Sequence, residues 1–503
     1  MDTETAGSWR DPPPRSAVTP VDEESGKPRV PPLTAPLIAG TALFTLLLAV
    51  PRILADPDTL WQIHTGEWML THHAIPRTDP FSYTAQGQRW FTHQWLSEAL
   101  MGLAHRLGDL RGVMVLTALA AGLTTGLLLF HLRCFMALIP ALLVLSQAIA
   151  NTTGSLLARP HVLAWPCLEL WCAGLVLARA QGRAPRWWLL PVMTLWVNLH
   201  GSFMIGLLLP LAFLAEAAFE AGAHWRRPVT QWALFTLAAW AAALLNPDTI
   251  EGVLFPFRLL GMSNLGWIGE WQQADFSAFH PLELTILLLL GAGLLGRLQV
   301  PPFRLLMLLG LIHMALAHWR HGQLVGLIGA LLLAEAIGRL APPETVSEPA
   351  IQSAPRSDIP ARLALLASLA VAGLAMAGRF AVALDHKPGE AVFAVLDRLP
   401  AALRARPVLN DYGFGASLIV HGDRPFIDSR ADLYGDAFLG RFRAITEQKE
   451  DALAAALRDF DIAWTIFPPD APVLLLLDRR PGWRRLIDGP AAVVHVRDDA
   501  VTR

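Results

Sequence analysis

Two aspartates separated by one proline, Asp56-Pro57-Asp58, are the residues whose types and spacing most favour chemistry. Proline disfavours a helical conformation in the residue before it, so Asp56 is expected to be extended. Because residues two apart in an extended segment project to the same side, Asp56 and Asp58 can share one site. Such a pair can hold a divalent metal, Mg²⁺ or Mn²⁺, or one carboxylate can act as a base while the other orients it. The alternative is a polar loop in which Asp-Pro simply ends a membrane helix.

The stretch from 56 to 98 is the densest cluster of carboxylates, imidazoles and indoles in an otherwise apolar chain. It contains four further candidates for substrate binding: Trp61, His64, His93 and Glu98. Tryptophans and a leucine stripe predict two short helices at the membrane interface, the second of which ends at Gly108. Ordinary packing explains the leucine stripe, but it does not explain His93 and Glu98 on the other side of that helix.

The composition places the chain among polytopic membrane proteins. Of 503 residues, 53% are hydrophobic and 16% are charged, and the mean hydropathy is +0.41. These values are typical of a chain with many membrane spans. The formal net charge of -2 gives no reason to expect a nucleic-acid partner. All three cysteines lie inside apolar runs, without metal-site spacing or a pairing pattern: Cys134, Cys167 and Cys172.

Eleven segments approach the length of about 20 residues that a helix needs to cross a bilayer. They lie near 35–54, 111–132, 134–150, 160–180, 187–198, 202–221, 229–246, 280–298, 302–318, 322–340 and 363–384. The fifth segment is short, and with the sixth it can instead form one long broken helix. The sequence therefore predicts an α-helical polytopic membrane protein with about eleven transmembrane helices.

The basic residues of the short loops predict the orientation of the chain. With eleven crossings, the arginines that flank the spans fall on one side of the membrane, which the positive-inside rule assigns to the cytoplasm. The N-terminus is then cytoplasmic, and every polar cluster of interest lies on the outer face with the C-terminal part of the chain. We expect an integral protein of the bacterial inner membrane.

Two polar turns at the outer ends of predicted spans supply further candidates. Arg159 and His161 stand at the mouth of the fourth span, and an arginine near the bilayer core is costly unless it is paired or solvated. Arg159 can instead snorkel to headgroups, or it can grip a lipid phosphate, which suits guanidinium geometry. His200 precedes Gly201 in a turn, and alone it is explained as a buried imidazole.

Glu270, in the loop 246–279, and Arg320, in the turn 318–321, complete the set. A long outer loop with aromatic and acidic residues inside a compact membrane protein is usually functional. Carboxylates on one loop and arginine and histidine on others are what a site for an anionic lipid donor and a hydroxyl acceptor needs.

The chain is predicted to have five parts. They are a disordered cytoplasmic tail 1–34, a membrane domain 35–340 with a periplasmic loop 55–110, a cytoplasmic linker 341–361, a last membrane helix 362–384 and an external α/β domain 385–503. In the last part, strands are predicted near 407–409, 425–428, 463–467 and 491–496, and helices near 391–403, 437–447 and 451–459. Its residues Asp428, Arg430 and Asp432 can bind a sugar or an acceptor, or they can form a structural ion-pair network.

This layout resembles the GT-C superfamily of membrane glycosyltransferases, which includes protein O-mannosyltransferases, lipid A aminoarabinose transferases and oligosaccharyltransferases. The resemblance covers roughly residues 35–384. It rests on Asp56-Pro57-Asp58 after the first span, interfacial helices in the first outer loop, about eleven spans and an external C-terminal domain. A further pattern is similar to a large bacterial family of such proteins: Trp61, Asp79-Pro80-Phe81-Ser82, Arg159-Pro160-His161, Asn198 with His200-Gly201, and Ile427-Asp428-Ser429-Arg430. The Trp-Trp-Asp motif of oligosaccharyltransferases is not found in the tail, which disfavours peptide glycosylation.

The resemblance implies an enzyme that transfers a sugar from a polyprenyl-phosphate-linked donor to a hydroxyl of a lipid or glycan acceptor on the outer face. Asp58 or Asp56 would be the base, while a divalent metal or Arg159, His161 and Arg320 would offset the charge on the departing phosphate. A lipid-linked sugar transporter or flippase is an alternative, although it needs polar residues in mid-membrane and an internal two-fold repeat. A non-catalytic scaffold is the other alternative.

Overall fold

The computed structural model describes residues 30–222, 225–340, 359–384 and 387–500. Most of the predicted tail 1–34 and of the predicted linker 341–361 lies outside these residues. The helices up to residue 384 are α1 (Thr34–Leu48), α2 (Asp58–His72), α3 (Trp95–Arg133), α4 (Leu138–Thr152), α5 (Pro160–Ala180), α6 (Leu189–Leu199), α7 (Phe203–Glu220), α8 (Arg226–Ala243), α9 (Ile250–Leu260), α10 (Pro281–Leu294), α11 (Pro302–Ala317), α12 (Trp319–Leu340) and α13 (Ile359–Ala381).

Among the described residues, six helices are long and apolar enough to cross a membrane, which makes the chain an integral membrane protein. They are α3, α4 with the short turn after it, α5, α7, α12 and α13. The other five predicted spans coincide with helices that are shorter or less apolar: α1, α6, α8, α10 and α11. The count of eleven crossings therefore stays a prediction.

The helix α3 joins a predicted interfacial helix to a predicted span. Its backbone leaves helical geometry at Gly108 and Asp109, where the φ of Asp109 is 55°. This kink lies at the glycine predicted to end the interfacial helix. It allows the first part of α3 to run in a different direction from the apolar part.

Two glycines let α2 cross the first part of α3 in backbone contact. A Cβ atom on Gly66 would lie 1.9 Å from the carbonyl oxygen of Glu98, and one on Gly102 would lie 2.5 Å from the carbonyl carbon of Gly66. Only residues without a side chain permit so close an approach, as at other small-residue helix crossings. The crossing fixes α2, whose first residue is Asp58.

The chain beyond residue 387 combines short helices with a four-stranded sheet. The helices are α14 (Glu390–Leu396), α15 (Ala401–Arg404), α16 (Gly415–His421), α17 (Ala431–Thr446), α18 (Glu450–Asp459) and α19 (Leu474–Arg479). The strands are β1 (Val408–Asn410), β2 (Trp464–Phe467), β3 (Trp483–Asp488) and β4 (Val493–Arg497), in the order β1-β2-β4-β3. β1 and β2 are parallel, and the other neighbours are antiparallel. The small sheet agrees with the predicted α/β character of this part.

The strand predicted at 425–428 is wrong. The side chain of Asn410, at the end of β1, accepts a hydrogen bond from the backbone N of Phe426 at 2.7 Å and donates one to the carbonyl of Ile427 at 2.7 Å. A side chain therefore satisfies the backbone groups that a neighbouring strand would otherwise pair. The strand β3 was missed, because a polar edge strand such as Trp483–Asp488 lacks the apolar run used to predict the others.

A buried arginine fastens this part of the chain to the loop after α2. The guanidinium of Arg430 donates two hydrogen bonds to Asp428, at 2.8 and 2.6 Å, and a third to Asp79 at 2.7 Å. The hydroxyl of Tyr434 donates to the same Asp428 carboxylate at 2.7 Å. The guanidinium also lies 4.7 Å from the ring centre of Trp90. We call Asp79, Asp428, Arg430 and Tyr434 the Arg430 clamp.

We predict that replacing Arg430 by alanine destabilises the protein by about 3–5 kcal/mol, because it leaves buried carboxylates without their counter-charge. The matched control is Arg441→Ala, which breaks a half-exposed pair with Asp459 (3.0 Å) and should cost at most about 1 kcal/mol. Thermal unfolding in detergent, followed by tryptophan fluorescence, measures both. Equal shifts for the two variants would contradict a fastening role for the clamp.

Candidate active site

A cavity of about 250 Å³ lies where the polar turns at one end of the membrane helices meet the C-terminal part of the chain. Eight of the candidate residues predicted in the membrane domain line it: Asp58, Trp61, His93, Arg159, His161, His200, Glu270 and Arg320. Asp56 does not line the cavity itself, but its carboxylate contacts two lining residues, Arg159 and Asp58. His64 packs edge-on against Phe81 at 5.2 Å, and Glu98 is buried in α3, so neither lines the cavity.

Arg159 is the centre of the charged groups in the cavity. Its backbone is extended (φ -132°, ψ 155°), as expected before a proline, and Pro160 begins α5. Nε lies 2.9 Å from a carboxylate oxygen of Asp56, while the two terminal nitrogens contact Asp58 and Glu270. The guanidinium therefore touches three carboxylates from two distant parts of the chain.

A second arginine joins this group through Glu270. Nη1 of Arg320 donates to Glu270 at 2.9 Å, and the guanidinium lies 4.7 Å from the ring centre of Trp271. We call Asp56, Asp58, Arg159, Glu270 and Arg320 the Arg159 cluster. Three carboxylates and two guanidinium groups give the cluster a net charge of -1 when all five are ionised.

Burial and charge act in opposite directions on the carboxylates of the cluster. Burial raises the pKa of Asp58 to about 7, although Arg159 opposes this shift. Burial also raises the pKa of Asp56. Burial raises the pKa of Glu270 too, but Arg320 and Arg159 outweigh that effect and hold the pKa below its usual value. Near neutral pH, Glu270 is thus ionised while Asp58 is poised to bind or release a proton.

The two aspartates are arranged differently from the simple extended pair that the sequence suggests. The backbone N of Asp58, the first residue of α2, donates to the side chain of Asp56 at 2.8 Å. Asp56 therefore satisfies a free amide at the start of the helix and also contacts Arg159. Asp58 is left with its carboxylate facing the cavity.

The C-terminal part of the chain supplies two further side chains to the cavity, Ser429 and Asp432. Nε1 of Trp61 donates to Ser429 at 3.0 Å, which joins α2 to the loop of the Arg430 clamp. Burial raises the pKa of Asp432, and His93 opposes this shift. Asp428 and Arg430 therefore form the ion-pair network, while Asp432 faces the cavity.

The sequence did not single out Ser429 as a site residue. The one available signal was its place inside Ile427-Asp428-Ser429-Arg430. Gln62, Gln94, Ser202 and Gln323 also line the cavity and were missed. Single polar residues of these types carry no spacing that marks a site.

Neutral imidazoles form another wall of the cavity. The ring of His93 stacks on Phe255 at 4.6 Å, and burial lowers the pKa of His93. Burial also lowers the pKa of His200 well below its usual value, and His200 accepts a hydrogen bond from the backbone N of Ser202 at 3.1 Å. The ring of His161 meets His200 edge-on at 5.8 Å. Neutral rings can donate or accept hydrogen bonds without adding positive charge.

The arrangement does not fit a divalent cation between Asp56 and Asp58. Among the residues that the structure describes, no group of three or more His, Cys, Asp or Glu side chains is placed to hold a metal ion. Asp56, Asp58 and Glu270 converge on the guanidinium of Arg159, so this side chain supplies the positive charge that a metal would bring.

The fold is similar to several solved membrane proteins. ArnT from Cupriavidus metallidurans bound to undecaprenyl phosphate has a TM-score of 0.49 and 14% identity over 93% of this chain and 98% of that chain. The oligosaccharyltransferase of Archaeoglobus fulgidus in the apo form has a TM-score of 0.47 and 10% identity, over 86% and 70%. A complex of that protein with Zn and sulfate has a TM-score of 0.47 and 12% identity, over 91% and 73%.

No protein-family model and no curated protein matches the chain. The resemblance to the GT-C superfamily rests on the sequence, because these solved structures are at most 14% identical to the chain and have TM-scores below 0.5.

Proposed function

We propose that this chain is a membrane glycosyltransferase that moves a sugar from a polyprenyl-phosphate-linked donor to an acceptor hydroxyl on a lipid or glycan. One observation carries the proposal. Asp58, a buried carboxylate with a pKa raised to about 7, faces a cavity whose cationic side chains are Arg159 and Arg320. The reaction takes place on the predicted outer face of the membrane.

In the proposed reaction, Asp58 acts as the general base. The acceptor O–H proton passes to the Asp58 carboxylate while the acceptor oxygen forms a bond to the anomeric carbon of the sugar. The bond between that carbon and the phosphate oxygen breaks, and the electron pair leaves with the polyprenyl phosphate. A base with a pKa near the operating pH is the most effective for this transfer.

The two arginines have different roles in this proposal. Arg159 is occupied by Asp56, Asp58 and Glu270, so it holds the carboxylates in place and keeps Asp58 oriented. Arg320 contacts the single carboxylate of Glu270 through Nη1. Its other N–H groups are the better placed to bind the donor phosphate, for which guanidinium geometry is suited. From the sequence alone, both arginines are candidates, with His161, to offset the charge on the phosphate, and a divalent metal is the alternative.

One observation favours the transporter alternative. Glu169 is fully buried near the middle of α5, and Nδ1 of His131 lies 3.4 Å from its carboxylate. An ionisable pair at this depth is a functional candidate by default, because charged groups are costly there. Transport would depend on this pair, whereas glycosyl transfer would depend on Asp58.

We predict that Asp58→Asn lowers turnover by about 10²–10⁴-fold, since it keeps the size of the side chain but removes the proton acceptor. Donor binding should survive. The matched control is Glu169→Gln, which should retain turnover. Transfer of labelled sugar by purified protein, together with donor binding by calorimetry, distinguishes the two changes. Loss of function in Glu169→Gln with full activity in Asp58→Asn would favour the transporter.

We predict that the rate rises with pH through the pKa of Asp58. The pKa of about 7 leaves this carboxyl mostly protonated at pH 6 and mostly ionised at pH 8, and only the ionised form accepts a proton. Burial lowers the pKa of His93 and of His200, which moves both away from the pKa of Asp58. The measurement is kcat/KM from pH 5.5 to 8.5. A flat profile would contradict the role of Asp58 as the base.

We predict that Arg320→Ala raises the Kd for the donor by about tenfold or more, because a charge-assisted hydrogen bond is worth about 1.5–3 kcal/mol. Arg159→Ala should mainly lower kcat and stability, because three carboxylates lose their shared counter-charge. Donor calorimetry and turnover on the same preparations separate these effects. Unchanged donor affinity in Arg320→Ala would remove Arg320 from the phosphate site.

A further inference from the structure

A second cavity, of about 550 Å³, lies where the C-terminal ends of α5 and α7 meet the start of α8. Three of its lining residues are arginines, Arg179, Arg183 and Arg227, and Glu220 is its one acidic lining residue among the part of the chain that the structure describes. No residue of the candidate active site contributes to it.

The two cavities lie at opposite ends of α5, a helix long and apolar enough to cross a membrane. Arg159 immediately precedes α5, and Arg179 is in the last turn of the same helix. The 21 residues of α5 span about 31 Å, the thickness of the hydrocarbon core of a bilayer. The helix α7 likewise connects the two cavities. Ser202, just before its first residue, lines the first cavity, and Glu220, its last residue, lines the second.

The arginines that line the second cavity are not all paired with carboxylates. Arg179 is buried and contacts both Glu216, at 3.3 Å, and Glu220. Arg183 donates only to neutral oxygens, those of Gln181 at 2.6 Å and of the Ala184 backbone at 3.1 Å.

The side chain of Arg227 makes no hydrogen bond or ion pair to any residue that the structure describes. Two arginines therefore lack an acidic partner in this cavity. An anion with several oxygens suits such a group, because guanidinium N–H groups bind phosphate in a fork.

Exposed tryptophans near this cavity indicate the depth of lipid headgroups. Trp187, Trp188 and Trp225 lie near the same helix ends, and 58%, 49% and 49% of their surfaces are exposed. Indole rings prefer the boundary between headgroups and hydrocarbon. At this depth, the anion that can best reach the arginines is the headgroup of a lipid. Basic pockets between membrane helices bind such headgroups.

We propose that this cavity binds the phosphate headgroup of an anionic phospholipid, in the leaflet opposite the candidate active site. The headgroup phosphate contacts Arg183 and Arg227, and Trp232 forms the apolar wall beside it. The site is separate from the proposed glycosyl transfer and does not depend on it.

The test uses the full-length protein in neutral detergent with added dioleoyl phosphatidylglycerol, and native mass spectrometry counts the bound lipid. Replacing both Arg183 and Arg227 by alanine should weaken lipid binding at least about tenfold. The matched control is Arg297→Ala, an exposed arginine in the turn between α10 and α11, outside the cavity, which should bind lipid as the unchanged protein does.

Two outcomes would overturn the proposal. Equal lipid binding by the double variant and the unchanged protein would remove the cavity from lipid recognition. Displacement of the lipid by inorganic phosphate at millimolar concentration would assign the cavity to a soluble phosphate instead. If the double variant does not fold, Arg227→Gln alone changes only an exposed side chain, and it should still lower lipid binding measurably.

Discussion

The need to pair charges that are removed from water governs the architecture around the candidate site. An unpaired buried charge costs several kcal/mol, so each buried arginine must meet carboxylates in good geometry. Arg159 meets three, and they come from the loop after α1, the first turn of α2 and the short turn at Gly269–Trp271. Because one guanidinium satisfies all of them, these segments cannot move independently. The cavity lies beside these paired groups, and Asp58, Arg159 and Glu270 line it.

The Arg430 clamp applies the same constraint to the C-terminal part of the chain. Arg430 and its carboxylates are fully buried, whereas the cavity lies beside them, at Ser429 and Asp432. Within the five residues 428–432, two thus fasten this part of the chain and two line the cavity. The hydrogen bond from Trp61 to Ser429 joins α2 to this segment.

The chemistry of the site depends on how far the arginines offset the effect of burial on each carboxylate. Arg159 offsets part of the desolvation of Asp58 and Asp56, yet the pKa of both stays raised, because one cation is shared among three anions. Glu270, which has a second arginine, has a lowered pKa instead. The carboxylates of one cluster therefore have pKa values shifted in opposite directions. The number of cations beside each carboxylate decides which of them can act as a base.

The sequence by itself determined the features that depend on local pattern, namely the helices, most of the strands and the polar residues at the helix ends. Hydrophobic length placed the helices, and the apolar runs at 407–409, 463–467 and 491–496 located three of the four strands. The density of polar residues at the helix ends identified most of the charged and imidazole side chains that line the cavity. Only the tertiary structure decided which polar groups meet, because Arg159 and Glu270 lie 111 positions apart and Trp61 and Ser429 lie 368 apart. Local pattern carries no information on such pairings, which arise when buried charges and hydrogen-bonding groups find partners as the chain packs.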